Sequence, residues 1–233
     1  MAIVQFNSKI LEIIGEAPEV KTFVLACPKD FNFLPGQFIM LSFPEEKLAK
    51  AYSIASSPTK RGMIDLTIKI ESYTEEELQK HLTPRLNHVR ENQELIVKGP
   101  YGKFVLDETK QEYVFLAAGT GIAPLMSMIR YMLDKKMNKK ITLINSNKTQ
   151  KHIIYKKELE SMKNKINIVQ TITRDDEKHN HHPGRIDKEL LSRHVNNKQA
   201  MFYICGPNEM VRAAKQHLLD LNIPQEHVHI ELW

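Results

Sequence analysis

The pattern of apolar and polar positions changes once along the chain. Up to about residue 106, short runs rich in β-branched and aromatic residues are separated by Pro, Gly or charged clusters, which is typical of an antiparallel sheet or barrel. Residues 75–89 carry apolar positions at helical spacing, although Pro84 argues for a break there. The predicted strands of this half are Lys21–Ala26, Gln37–Phe43, Ile64–Glu71 and Glu94–Lys98.

After a polar segment at 107–112, which we expect to be a linker, strand and helix patterns alternate. This alternation is typical of a parallel sheet with helices on its faces, so we predict two domains, 1–106 and 107–233. The predicted strands are Tyr113–Ala117, Lys140–Asn145, Ile166–Ile172 and Met201–Cys205. The predicted helices are Ile122–Lys136, Ile154–Lys163, Asp187–His194 and Asn208–Leu221.

Composition narrows the class of protein. With 42% hydrophobic and 26% charged residues over 233 positions, the chain resembles an ordinary folded protein, and no apolar run is long enough for a membrane helix. Two cysteines are too few for a disulfide framework or for an iron–sulfur cluster, so we expect a cytoplasmic location. The net charge of +5 comes from dispersed Lys and Arg, which disfavours nucleic-acid binding and leaves an acidic redox partner open. His179, His181 and His182 lie in a polar loop without regular spacing, where we expect a mobile loop and no metal site.

Two glycine turns follow predicted strands of the second half. Gly119 and Gly121 form the motif G-x-G-x-x-P before a helix, where the backbone lets a phosphate approach closely and the helix start favours negative charge. Cys205 and the following Gly206-Pro207 form the second turn. Neighbouring parallel strands share their carboxyl edge, so the two turns would frame a ligand crevice. Taken alone, the first turn could be a simple strand-to-helix connection and Cys205 an inert buried thiol.

A short segment of the first half combines a cation, an aromatic ring and hydroxyl groups. In Lys50-Ala51-Tyr52-Ser53, strand alternation turns Lys50 and Tyr52 to one face and Ser53 to the other. A cation and hydroxyl groups suit the phosphate of a flavin nucleotide, whereas the aromatic ring suits its ring system. By itself, the segment is better explained as a polar strand end followed by a loop.

Four motifs, in matching order and similar spacing, resemble the ferredoxin–NADP reductase family. They are Lys50–Pro58, Gly99–Phe104, Gly119–Pro124 and Cys205–Met210, and the similarity covers essentially the whole chain. The chain looks most like the bacterial ferredoxin or flavodoxin reductases. This resemblance implies a six-stranded antiparallel β-barrel that binds FAD, followed by a parallel α/β domain that binds the nicotinamide nucleotide.

The resemblance also implies how FAD is bound. Tyr52 would pack along the flavin, Ser53 would lie near flavin N5, and Lys50 would face the pyrophosphate. The family usually has arginine at the position of Lys50, so the charge is kept but the two-pronged fit to phosphate is lost. Thr83 would supply the hydroxyl of a second phosphate segment, in which Lys80 replaces the usual glycine. The set implied for FAD is Lys50, Ala51, Tyr52, Ser53, Ile68, Lys69, Ile70, Leu82, Thr83, Thr120 and Trp233.

For the nicotinamide nucleotide, Thr173-Arg174 resembles the Ser-Arg pair that binds the 2′-phosphate in NADP-dependent members. Lys148 and Arg185 would add positive charge. The acidic residues 175–177 follow directly and would repel a phosphate that they faced, so NAD stays an alternative to NADP. The set implied for NADP is Gly119, Thr120, Gly121, Lys148, Thr173, Arg174, Arg185, Cys205, Gly206, Pro207 and Met210.

Four residues are expected at the reacting rings, namely Ser53, Cys205, Glu231 and Trp233. Trp233 corresponds to the terminal aromatic residue that covers the flavin in this family, and Glu231 to a glutamate that orients nicotinamide or relays protons. Their alternatives are a tail docked in an apolar groove and a solvated strand charge. The hydride chemistry itself belongs to the cofactors.

The resemblance therefore implies an FAD-dependent oxidoreductase, which we expect to be monomeric. It would transfer a hydride between NADPH and the flavin and exchange single electrons with a small ferredoxin or flavodoxin. One alternative is an NAD(P)H-dependent flavin reductase or the reductase component of an oxygenase system. The other is a non-catalytic electron-transfer subunit.

Overall fold

A computed structural model describes residues 2–44, 46, 48–70, 74, 80–174 and 182–232. The chain divides into two compact units, one formed by Met1–Leu106 with Met126–Lys135 and the other by Asp107–Leu125 with Lys136–Trp233. Because one helix contributes to both units, the boundary after residue 106 stays a prediction. Among the described residues, no helix combines the length and the apolar character needed to cross a membrane.

The first unit is built on a six-stranded antiparallel sheet. Its strands are β1 (Val4–Ala17), β2 (Val20–Ala26), β3 (Phe38–Ser42), β4 (Ala49–Ser53), β5 (Met63–Lys69) and β6 (Glu94–Tyr101), in the order β4-β3-β6-β1-β2-β5. Ile54, just after β4, forms an antiparallel bridge with Leu66 of β5. This bridge joins the two outer strands, so the sheet closes into the predicted barrel.

The core of the barrel is formed by inward-facing side chains of alternate strand positions. β2, β3, β5 and β6 correspond to the four predicted strands, with slightly shifted ends. Apolar periodicity does not predict β1, because only Ser8 and Ile10 of its 14 residues are buried. Of the helix predicted over 75–89, the structure forms α1 (Leu82–Arg85), which contains Pro84; the prediction was wrong for 86–89, which form a turn and irregular backbone, and 75–79 lie outside the described residues.

The second unit contains a six-stranded sheet in which every neighbouring pair is parallel. Its strands are β7 (Glu112–Ala118), β8 (Lys140–Asn147), β9 (Asn167–Ile172), β10 (His182–Pro183), β11 (Met201–Cys205) and β12 (Val228–Glu231), in the order β10-β9-β8-β7-β11-β12. The helices are α2 (Ile122–Asp134), α3 (Lys156–Met162), α4 (Lys188–His194) and α5 (Asn208–Asp220). The predicted parallel α/β domain is confirmed.

The polar segment expected to be a linker is tied to the second unit by buried tyrosines. The Asp107 N–H donates to Tyr203 Oη at 2.7 Å, and Tyr113 Oη donates to the carbonyls of Asp107 at 2.7 Å and Lys110 at 2.9 Å. Lys139 Nζ also donates to the Lys110 carbonyl at 2.6 Å. The Asp107 N–H and the carbonyls of Asp107 and Lys110 therefore have their hydrogen-bond partners within the second unit.

Candidate cofactor-binding sites

In the first unit, Lys50, Tyr52 and Thr83 converge on one point. Lys50 Nζ donates to Thr83 Oγ1 at 2.9 Å, and Tyr52 Oη lies 2.7 Å from the same Thr83 oxygen. Because both β4 residues reach Thr83, they share a face of the strand, as their alternation predicts. One cation and two hydroxyl groups form a donor set that fits a phosphate, so these residues fit the pyrophosphate of FAD.

Most of the other described residues expected at FAD also belong to the first unit, on or next to β4, β5 and α1, whereas Thr120 belongs to the second unit. Ser53 is buried and pairs with Phe38, while Leu82 is part of the barrel core. The Ile70 N–H already donates to the Glu19 carbonyl at 2.7 Å, on the β2 side of β5. Since backbone groups of successive residues point to opposite sides of a strand, Lys69 turns its N–H and carbonyl to the other side. Contact of Ile68, Lys69 or Ile70 with the flavin stays a prediction.

In the second unit, the two glycine turns pack against each other through backbone atoms. A Cβ on Gly121 would lie 2.4 Å from the carbonyl carbon and oxygen of Cys205 and 2.5 Å from the Gly206 Cα. A Cβ on Gly206 would lie 2.6 Å from Met210 Cε. Backbone atoms therefore exclude a side chain at Gly121, whereas at Gly206 the nearest obstacle is the flexible end of the Met210 side chain. Gly119 differs, because a Cβ there would meet nothing within 4 Å, and its φ of +54° is what favours glycine.

The carboxyl edge of this sheet also brings Cys205 and Glu231 together. Cys205 of β11 is in register with Ala117 of β7 on one side and with Glu231 of β12 on the other. Burial raises the pKa of the Glu231 carboxyl above its ordinary value. Cys205 has no exposed surface, which agrees with the alternative of a buried thiol, and its contact with a cofactor stays a prediction. Thr120, between the two glycines, is half-buried.

The residues expected at the 2′-phosphate lie together at the ends of β8, β9 and β10. The Arg174 N–H donates to the Lys148 carbonyl at 2.8 Å, and the Thr173 N–H donates to the Asn147 carbonyl at 3.0 Å. On the other side of β9, the N–H of Gly184, the neighbour of Arg185, donates to the Ile172 carbonyl at 2.8 Å. All four expected side chains are exposed to solvent, as binding of an external phosphate requires, and they are Lys148, Thr173, Arg174 and Arg185.

Several predicted features fall outside the described residues. They are the terminal Trp233, the acidic run 175–177 and two histidines of the polar loop, His179 and His181. The third histidine, His182, begins β10 and is in register with Thr171.

Sequence patterns miss two features near the predicted sites. The first is an ion pair between Arg85 and Glu46, whose only sequence signal is that Arg85 follows Thr83 by two positions. The second is Asn145 of β8, beside Ala117, whose buried amide nitrogen and oxygen have no hydrogen-bond partner among the described residues. A buried amide without a hydrogen-bond partner costs free energy. An apolar run that ends in Asn does not predict that this amide is buried and unpaired.

Family models match both halves of the chain. The oxidoreductase FAD-binding domain matches residues 8–106, and the oxidoreductase NAD-binding domain matches residues 115–216. Among curated proteins, sulfhydrogenase 1 subunit gamma of Pyrococcus furiosus is 30% identical, over 96% of this chain and 78% of that protein. The nitrate reductase [NADPH] of Emericella nidulans is 31% identical over 93% of this chain, which spans only 28% of that protein. The glycine betaine monooxygenase reductase subunit of Chromohalobacter salexigens is 28% identical over 97% of this chain and 63% of that protein.

Solved structures share the fold of both units. A ferredoxin reductase in carbazole 1,9a-dioxygenase has a TM-score of 0.88 at 20% identity, covering 100% of this chain and 70% of that chain. A ferredoxin NADP+ reductase from Neisseria gonorrhoeae with bound FAD and NADP has a TM-score of 0.82 at 22% identity, covering 98% of both chains. With the family matches and the assembled motifs, these findings place the chain in the ferredoxin–NADP reductase family of flavoprotein oxidoreductases, with an FAD-binding and an NAD-binding domain.

Proposed function

We propose that this protein is an FAD-dependent reductase that takes a hydride from NADPH and delivers single electrons to a small acidic redox protein, a ferredoxin or a flavodoxin. The proposal rests on one observation, which is that a single chain assembles both cofactor motifs. Lys50 and Tyr52 meet Thr83 in the first unit, and Gly121 packs on the Cys205–Gly206 turn in the second.

Each group of residues has a distinct task in this proposal. Lys50, Tyr52 and Thr83 hold the pyrophosphate of FAD by one charge and two hydroxyl groups. The glycine turn and the first N–H groups of α2 hold the phosphates of the nucleotide. Glu231, whose pKa is raised by burial, can hold a proton at the sheet edge. Bound flavin would supply the hydride acceptor and the conversion to single-electron steps, while the protein orients the reactants.

The choice of NADPH over NADH is supported by the exposed cations at the ends of β8 to β10. Lys148, Arg174 and Arg185 lie on adjacent strand ends that backbone hydrogen bonds hold together. A 2′-phosphate carries negative charge that three such side chains would attract, whereas the 2′-hydroxyl of NADH is neutral and offers no charge for them to pair with. A net charge of +5 supports an acidic protein partner through electrostatic attraction. We keep the monomeric state and the cytoplasmic location as predictions.

A second function is favoured by the relatives that are reductase subunits of monooxygenases, such as the glycine betaine monooxygenase reductase subunit. The chain would then deliver electrons to an oxygenase component or to free flavin. Steady-state turnover with ferredoxin, flavodoxin and free FMN as acceptors separates these possibilities. Turnover with free FMN alone would support the flavin reductase and contradict the ferredoxin or flavodoxin proposal.

The proposal as a whole is tested by an anaerobic titration of the purified protein with NADH and then NADPH. We expect a flavin spectrum that NADPH bleaches at lower concentration than NADH. A protein that is colourless and takes up neither FAD nor FMN would refute the function. A flavin that neither nucleotide bleaches would leave only the non-catalytic electron-transfer subunit.

A further inference from the structure

We propose that the ion pair between Arg85 and Glu46 is a positioning device for the flavin phosphate site, an inference that rests on the proposed function of Lys50, Tyr52 and Thr83. Arg85 Nη1 lies 2.6 Å from Glu46 Oε2, and Arg85 Nη2 lies 2.6 Å from Glu46 Oε1. Two parallel charge-assisted hydrogen bonds fix direction as well as distance. The pair therefore holds its two chain segments in one relative orientation.

These two segments are the ones that supply the phosphate site. Glu46 lies in the connection between β3 and β4, shortly before Lys50, and Arg85 is the last residue of α1, shortly after Thr83. The partners are 39 residues apart in sequence. In addition to this ion pair, the hydrogen bonds of Lys50 and Tyr52 to Thr83 connect the start of β4 to α1. A phosphate that bound to these three side chains would replace or share those bonds, whereas the ion pair would stay in place.

Phe43 holds the guanidinium group from a second direction. Arg85 Cζ lies 4.3 Å from the centroid of the Phe43 ring, and that ring belongs to the barrel core. Cation–π contact and ion pair together bind Arg85 to the β3–β4 connection at two points. The hydrogen bond from Arg85 also lowers the pKa of Glu46, so the pair is charged at neutral pH. Arg85 is thus placed to act through Lys50 and Thr83 instead of binding phosphate itself.

The ion pair matters because the cation at position 50 is a lysine, whose side chain is flexible. A lysine ammonium group is a point charge on a flexible stem, without the rigid fork that an arginine would present to a phosphate. The direction of Lys50 must therefore come from its surroundings. The Arg85–Glu46 pair holds the β3–β4 connection against α1. Lys50 and Thr83 therefore lose less conformational freedom when phosphate binds.

The test measures by fluorescence the Kd values with which the full chain, freed of its flavin, binds FAD, FMN and riboflavin. For Arg85→Gln and for Glu46→Gln we expect Kd values for FAD and FMN roughly tenfold above wild type, with little further change in the double variant. Riboflavin has no phosphate, so its Kd is expected to stay at the wild-type value. The matched control is Arg193→Gln, which breaks an exposed Arg193–Glu189 pair in α4 and is expected to change none of the three.

Three results would overturn the inference that the ion pair positions the phosphate site. They are a wild-type Kd for FAD in both single variants, an equal loss for riboflavin and FAD, and tighter FAD binding by Glu46→Gln, which would mean that Glu46 competes with phosphate for Arg85. A wild-type chain that binds neither FAD nor FMN would instead refute the proposed function, and the device with it. Should the glutamine variants not fold, Arg85→Lys keeps the charge without the fork; we expect roughly threefold weaker FAD and FMN binding, and no change would overturn the inference.

Discussion

Gly121→Ala is expected to destabilise the second unit and to weaken nucleotide binding, because the added methyl group has no room. Its carbon would lie 2.4 Å from the Cys205 carbonyl carbon and 2.5 Å from the Gly206 Cα. Carbon atoms in contact ordinarily lie about 3.5–4.0 Å apart, so the overlap exceeds about 1 Å. The obstructing atoms are backbone, which cannot rotate away as a side chain can. The two turns must therefore separate.

The size of the effect follows from the cost of overpacking. Insertions of this kind cost about 1–3 kcal/mol, and a clash with backbone falls in the upper part of that range. For a chain of 150–250 residues, each kcal/mol lowers Tm by about 2–4 °C, so a cost of about 2–3 kcal/mol lowers it by about 4–12 °C. FAD content is expected to stay at the wild-type level, because Lys50, Tyr52 and Thr83 belong to the first unit.

The assay combines calorimetric Tm, FAD content and the KM for NADPH, with two alanine variants as controls. Gly15→Ala in β1 adds a methyl group that meets nothing within 4 Å, so we expect almost no change. Gly119→Ala also meets nothing within 4 Å but keeps a φ of +54°, which costs about 1 kcal/mol through the left-handed backbone alone. Tm is therefore expected to be highest for Gly15→Ala, lower for Gly119→Ala and lowest for Gly121→Ala. Equal Tm values for Gly121→Ala and Gly15→Ala would refute the packing of the two turns.

Three further predictions concern charge. Glu231→Gln is expected to raise Tm at neutral pH, since burial raises the pKa of this carboxyl and penalises its ionised form; the gain should vanish as pH falls through that pKa, and an equal gain at low and neutral pH would contradict this cause. Burial lowers the pKa of the His229 imidazole, so as pH falls the ring is protonated in the unfolded chain before it is protonated in the folded one. The free energy of unfolding should therefore fall as pH drops below about 6.5. His229→Phe, which can keep the ring stack on Tyr203 at 5.0 Å, should flatten that part of the Tm profile, and an unchanged slope would count against His229. Arg174→Gln is expected to raise the KM for NADPH roughly tenfold and to leave the KM for NADH unchanged; equal effects on both would argue against a 2′-phosphate site.

Lys50 and Tyr52 illustrate how much of the site follows from sequence. Strand alternation is a property of neighbouring residues, so it correctly placed these two side chains on one face. Their meeting with Thr83 joins β4 to α1, and no periodicity in either segment predicts that contact. Strand β1 was missed for a related reason, because its partners bury only Ser8 and Ile10 and leave the rest of the strand without an apolar pattern.

Local patterns were sufficient for the fold class. Short runs of β-branched and aromatic residues between turn signals predicted an antiparallel sheet or barrel, and strand–helix alternation with two glycine turns predicted the parallel sheet and its ligand edge. Long-range packing was needed for everything that joins distant segments, as with Arg85 and Glu46 or Gly121 and Cys205. The physical reason is that periodicity reports which face of an element is buried, whereas the choice of contact partner depends on how complete elements pack in three dimensions.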